Sequence, residues 1–220
     1  MGYFCITFMQ AMSPENSSNS RPTRAEEPLR PRAALRAIQS QARYLFAPEE
    51  FGRLVGRDGD SMMVKKALHR LTLQGLITLA SRRPTSYLIV PAEQMHYGAP
   101  PITWWIDDCL KRIEPHYYIA LLSAARYWGS AHYAIQEAQV MVSRPRTTAT
   151  PGKLKVTFFT KRKISGTPVV VVGSGVAPWR VSTRAATLLD LIRHQDDVGG
   201  IEAIARVAKD FSSQLDRRCG

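Results

Sequence analysis

DSMMVKKALHRLTLQGLITLASRRPTSYLIV, Asp60 to Val90, is the stretch on which the reading of the N-terminal half turns. Val64, Ala67, Leu68 and Leu71 recur at i, i+3, i+4 and i+7, which makes one apolar stripe on a helix. At about 100° per residue, Met62, Lys65, Lys66 and His69 land on the opposite arc. One face therefore belongs to a core and the other is cationic. Asp60 or Ser61 is placed to cap the helix start, since a short side-chain oxygen accepts from the free N–H groups of the first turn. Gly75 ends the helix. Two β-rich runs follow, Leu76–Ala80 and Ser86–Val90, joined by SRRPT with Arg82 and Arg83 at the tip. A helix with a basic outer face and a basic-tipped hairpin after it predicts a winged helix-turn-helix that reads DNA.

Upstream, Ala33 to Tyr44 reads as a first helix, and Ala47-Pro48-Glu49-Glu50 opens a second, with Pro and acidic residues in the first turn. Phe51, Leu54 and Val55 give that helix its apolar side, and GRDGD (56–60) is a tight turn into the basic helix. The winged helix is thus expected over 32–95. Before it, residues 1–31 form an extension. MGYFCITFMQAMS has no basic residue ahead of Arg21 and makes a poor signal peptide. SPENSSNSRPTRAEEPLRP (13–31) has the Ser, Asn, Pro and charge content of a flexible lead-in. Its arginines, with Arg32, fit either a solvated linker or an arm that touches DNA.

The charge balance supports a phosphate-bearing partner. Lys and Arg number 30 against 18 Asp and Glu, giving +12 and a pI near 10.0. The excess is shared between residues 1–95 and 96–220, so it is not the property of a tail. Cys5, Cys109 and Cys219 form no CxxC pair, which argues against a disulfide framework or a zinc site and fits a reducing cytosol. No run approaches the roughly 18 apolar residues of a membrane span.

Pro91 to Pro101 marks a boundary across which few packing contacts are expected, so that each half folds alone. Residues 96–220 then read as an α+β domain, a small sheet flanked by helices. ITWWIDDCLKRI (102–113) and HYYIALLSAARYWG (116–129) are helical patterns. Ala138–Ser143, Lys153–Thr160 and Pro168–Val172 are strand-like. Ser182 or Thr183 caps a helix whose stripe is Ala185, Leu188, Leu189 and Ile192. Gly199-Gly200 leads into a last helix with Ile204, Val207, Ala208 and Phe211 on one side.

The candidate DNA-reading residues follow from this layout. Lys65, Lys66 and His69 face outward, and Ser61 and Met62 stand at the helix start, where recognition helices meet base edges. An exposed Met62 suits a thymine methyl, although methionine is more often a core residue. Arg53, Arg57 and Arg70 flank the surface and would hold the DNA backbone. Arg82 and Arg83 at the hairpin tip suit phosphates or a minor groove, though a solvated tip would carry the same arginines. A second basic run holds Arg144, Arg146, Lys153, Lys155, Lys161, Arg162 and Lys163 with no acid between them. Strand alternation can gather part of it into a polyanion surface, and a simple solvated face is the other reading.

Catalysis finds little support. VVGSGV (171–176) lacks the spacing of a phosphate loop and reads as a β-turn. Asp107-Asp108 and Asp196-Asp197 have no metal-ligand partners at sensible spacing, and KLKVTFF carries no acid. His116 and His132 flank an aromatic helix, where packing explains them better than a metal. No catalytic residue, metal site or cofactor is expected.

YYIALLSAARYWG (117–129), AHYAIQEAQVMVSRPR (131–146), VSTRAATLLDLIRH (181–194) and the Gly-Gly-led last helix resemble the AbiEi-type antitoxins of abortive-infection, type IV toxin–antitoxin operons. The similarity runs from about residue 32 to 215. It departs in the first 30 residues, and Arg184-Ala185 stands where family members often carry a Pro–acidic pair. The resemblance implies a cytoplasmic repressor of its own operon that binds inverted repeats in promoter DNA. It also implies a C-terminal domain that counteracts a co-encoded nucleotidyltransferase-like toxin, often without a stable complex. Two alternatives stand beside it. One is an enzyme, a nuclease or a toxin modifier, with an unrecognised site; the other is an antitoxin that blocks its toxin by tight direct binding.

Overall fold

The computed structural model describes residues 27–111, 114–130, 137–173 and 177–216. The expectations for Arg21, Arg24 and His132 fall outside them. The chain is α+β.

Helix α1 (Pro31–Gln39) starts on a proline at its first turn, where the missing N–H costs nothing, and buries Ala34, Leu35 and Ile38. It ends earlier than the periodicity suggests. Tyr44 instead leads a short strand, β1 (Leu45–Phe46), and its carbonyl accepts from Ile89 N–H at 2.8 Å. Helix α2 (Pro48–Leu54), helix α3 (Met62–Leu73), strand β2 (Ile77–Arg82) and strand β3 (Thr85–Ile89) follow. The three strands form one antiparallel sheet in the order β1-β3-β2.

That sheet is buried on both faces, and the period of two along β3 shows how. Ile89, with Ile77, packs against Val64, Leu68 and Leu71 of α3 and the apolar sides of α1 and α2. Leu88, with Ala80, points the other way and joins Trp105, Ile106 and Leu110. The Tyr44 and Trp104 rings lie 4.8 Å apart across the same junction. The expectation of a sparsely packed boundary is therefore corrected. Pro91, Ala99 and Pro100 are buried. Lys153 N–H donates to the Tyr97 carbonyl at 2.8 Å. Gly98 and Gly152 meet backbone to backbone, since a Cβ on Gly152 would stand 2.4 Å from the Tyr97 oxygen.

The second half is built on a five-stranded mixed sheet. Its strands are β4 (Tyr118–Ile119), β5 (Glu137–Val142), β6 (Lys155–Thr160), β7 (Val169–Gly173) and β8 (Pro178–Ser182). Their order is β6-β5-β4-β8-β7, with β5/β6 and β4/β8 parallel and the other pairs antiparallel. Alternation again divides the faces. Ile119, Val140, Val142, Trp179 and Val181 pack toward α4 (Ile106–Leu110) and the first half. Tyr118 and Met141 pack toward α5 (Leu121–Tyr127), α6 (Arg184–Arg193) and α7 (Gly200–Asp216).

Two helical readings are corrected here. Residues 102–113 do not form one helix: Ile102–Trp104 is a 3-10 turn, and Trp105 leaves helical geometry before α4 begins. Residues 116–129 divide as well, because the β-prone Tyr118-Ile119 pair is drawn into the middle of the sheet. The chain turns from β4 into α5 at Leu121, whose φ of 51° is left-handed; its side chain is fully buried, which holds it there. Gln139 on β5 supplies what α5 lacks as a cap, its Oε1 accepting from Leu122 N–H at 2.9 Å.

Candidate nucleic-acid interface

The start of α3 is set by backbone contact. A Cβ on Gly59 would sit 2.5 Å from the Glu49 Cα, and one on Gly52 would sit 2.8 Å from both the Arg57 oxygen and the Gly59 Cα. The 56–60 turn thus lies directly on α2, and only glycine permits that approach. Of the two cap candidates Ser61 takes the role, accepting from Val64 N–H at 3.3 Å. Arg32 Nη2 donates to Gln74 Oε1 at 3.0 Å and ties α1 to the far end of α3.

From that anchored helix the cationic face projects outward. Arg53, Arg57, Lys65, Lys66, His69 and Arg70 are exposed, as are Arg82 and Arg83 at the hairpin turn. Met62 is 65% exposed, which places it at the surface and not in the core. Ser61 is half-buried under its cap bond. Lys65 has an exposed partner, Asp60, at 3.5 Å, a pair that solvent screens to little. Met63 and Leu73 are exposed beside these residues, and sequence reasoning does not single them out. Their exposure is legible only once the buried face is known to be narrow.

The second basic run is distributed differently. Glu137 is level with Lys155 at one end of the β5–β6 pair, and Val142 is level with Thr160 at the other. Strand rise puts the two ends about 17 Å apart. Lys153 and Lys155 lie at the first end, and Lys155 is paired with Glu137 at 3.2 Å. Arg144, Arg162 and Lys163 are exposed at the second. Arg146 is half-buried near Cys109.

Lys161 is turned inward, which corrects its place on a surface. Its Nζ donates to Asp190 Oδ1 at 2.7 Å and to Tyr118 Oη at 3.3 Å. Tyr118 Oη in turn donates to Asp190 Oδ2 at 2.7 Å. Burial, and then the Asp190 carboxylate, push the Tyr118 hydroxyl well above its ordinary range. The same network corrects the stripe read for α6. The helix buries Ala186, Thr187, Asp190 and Leu191, and leaves Leu189 and Ile192 exposed. A polar face is buried because each member has a partner: Thr187 Oγ1 shares a 2.7 Å hydrogen bond with Ser182 Oγ.

Three of the four paired carboxylates have local partners. Asp107 accepts from Tyr117 Oη at 2.9 Å, Asp108 is bridged by Lys111, and Asp197 lies 3.5 Å from His194 Nδ1. His116 is exposed. Among the described residues no group of three His, Cys, Asp or Glu side chains is arranged to hold a metal ion.

Residues 118–219 match the family model of the AbiEi antitoxin C-terminal domain. The chain carries an AbiEi antitoxin domain. The match opens on β4 and takes in the sheet and all three helices packed on its Tyr118 face. No curated protein matches the chain. An antitoxin domain implies a cognate toxin as partner. Arg184, at the departure from the common family pattern, has its guanidinium 4.8 Å from the centre of the Trp128 ring, so the antitoxin domain uses a cation–π contact to seat the start of α6. Among the described residues no helix is long and apolar enough to cross a membrane.

Proposed function

We propose that this chain is a type IV antitoxin of the cytoplasm that represses its own toxin–antitoxin operon, with residues 32–95 serving as a winged helix-turn-helix on inverted repeats in the promoter. In this reading α3 lies in the major groove, with Lys65, Lys66, His69 and Arg70 toward the DNA and Arg53 and Arg57 on the flanking backbone. Arg82 and Arg83 reach the neighbouring phosphates, and Arg144, Arg162 and Lys163 are available to a polyanion beside them. Residues 96–220 counteract a co-encoded nucleotidyltransferase-like toxin in a phage-defence operon, without a stable complex and without chemistry of their own. The observation that carries the DNA-binding part is the solvent-facing cationic surface of a helix whose opposite side is fixed in the core.

The test uses the full chain. Binding to a fluorescent fragment of its own promoter is measured by anisotropy at 50 and 200 mM salt. Neutralising about six phosphates costs on the order of 10³-fold in affinity over that range. Affinity that stays flat excludes this surface. Growth of cells making the cognate toxin, with and without the full chain, tests the second part, and no rescue by soluble protein removes it.

A further inference from the structure

A cavity of about 360 Å³ lies where residues 94–103 cross the sheet beside α5. Its size suits a small organic ligand, and most of its wall is apolar, from Ala99 and Pro100 to Ile119, Ala138 and Leu154. Tyr97, Tyr127 and Trp179 add aromatic wall, the last two meeting edge to face with centroids 5.0 Å apart. Two cations also line it, Arg126 and Lys153. Among the described residues neither side chain has an ion pair or hydrogen bond. The carboxylate in the wall, Glu137, is already engaged by Lys155 at 3.2 Å and Thr157 at 2.9 Å. Arg126 sits in the last turn of α5, where a cation also favours the helix end. Lys153 is exposed to solvent and Arg126 is half-buried. The cavity therefore presents unpaired positive charge beside flat apolar surface, and low-dielectric walls strengthen the attraction of that charge for an anion.

We propose that this cavity binds a small organic anion with one flat apolar end, the chemistry shared by mononucleotides and aromatic carboxylates. The flat end packs against Tyr127 and Trp179, and the anionic group meets Arg126 and Lys153. The assignment does not rest on the operator or toxin reading: a chain that bound no DNA would still be expected to bind the anion.

Isothermal titration of the full chain with AMP, 1-naphthoate, adenosine and inorganic phosphate tests it. Saturable binding of AMP or 1-naphthoate, with adenosine and phosphate each weaker, is the expected result, and the tighter of the two anions names the source. The R126Q/K153Q variant loses affinity on the order of tenfold or more, as expected for two charge-assisted contacts. Tyr127→Leu narrows the preference for AMP or naphthoate over phosphate. Thermal unfolding without ligand checks that both variants fold, and footprinting by NMR on the wild-type chain covers the case where one does not. Absence of saturation by either anion at millimolar concentration overturns the proposal. So does phosphate binding as tightly as AMP, or affinity unchanged in folded R126Q/K153Q.

Discussion

Two stretches of this chain, 53–83 and 144–163, each hold seven Lys and Arg, and the fold treats them in opposite ways. Around α3 the cations stand on the outer arc of a helix whose inner arc is buried, so one element gathers them on one side. Between residues 144 and 163 they are set out along a parallel strand pair and its connections, and the register sends them to two ends about 17 Å apart. One of them, Lys161, ends inside the antitoxin domain against Asp190. A helix concentrates what a crossover disperses. Local charge density in a sequence therefore becomes a surface only when the secondary structure that carries it has one exposed side.

The sharpest way to test the contrast is to remove a partner of the inward lysine. Asp190 is 1% exposed and Lys161 17%, so Asp190→Ala leaves a buried cation and the Tyr118 hydroxyl without their acceptor. The expected loss is about 3–5 kcal/mol of folding free energy in urea unfolding. The double variant D190L/K161M, which removes both charges, is expected to recover most of it. By contrast K65A/K66A changes stability by no more than about 0.5 kcal/mol, since both side chains stand in solvent. An Asp190→Ala protein as stable as the wild type would show that Lys161 is solvated after all.

The second test compares the two stretches on DNA directly. K65A/K66A should lower the slope of log affinity against log salt by about two, at roughly 0.9 for each phosphate no longer neutralised. R144A/R162A/K163A, at the far end of β5–β6, should lower it by less than about one. Equal slopes for the two variants would make the antitoxin domain a full partner in DNA binding and erase the distinction.

Much of the first half is legible in the sequence because its signals are local. The stripe Val64, Ala67, Leu68 and Leu71, the Ser61 cap, the Gly75 stop and the Arg82-Arg83 hairpin each act within a few residues of chain. The antitoxin domain is less legible because its structure depends on distant partners. Tyr118-Ile119 is a strand only because β5 and β8 flank it. Asp190 is buried only because Lys161 and Tyr118 meet it there, and its burial turns the apolar Leu189 and Ile192 outward. Strand β8 escapes the sequence reading although Trp179 and Val181 alternate along it, since Pro178 and the preceding glycines read as a turn. The junction misleads for a different reason. Pro91 to Pro101 has the composition of a linker, but its backbone is held by the Gly98–Gly152 approach and by apolar residues from both halves. None of those contacts leaves a periodic trace.

A small effect is expected at Ser61, the residue that bears on both sides of the comparison because it is at once a cap and a candidate at the DNA. Its Oγ accepts from Val64 N–H at 3.3 Å, a long bond, so Ser61→Ala should cost no more than about 1 kcal/mol of stability. Ser61→Asp restores the cap and adds a negative charge that the helix N-terminus favours, so its stability should equal or exceed that of the wild type. On DNA the two variants part. A carboxylate at the helix start would face phosphates if this end lies in the groove, and Ser61→Asp should then bind the promoter more weakly than Ser61→Ala despite folding better. Stability and affinity are thus driven in opposite directions by one atom-level change, which a loss of folding cannot imitate. If Ser61→Asp binds as tightly as the wild type, the start of α3 points away from the DNA, and the reading surface must lie nearer Arg70 and the hairpin.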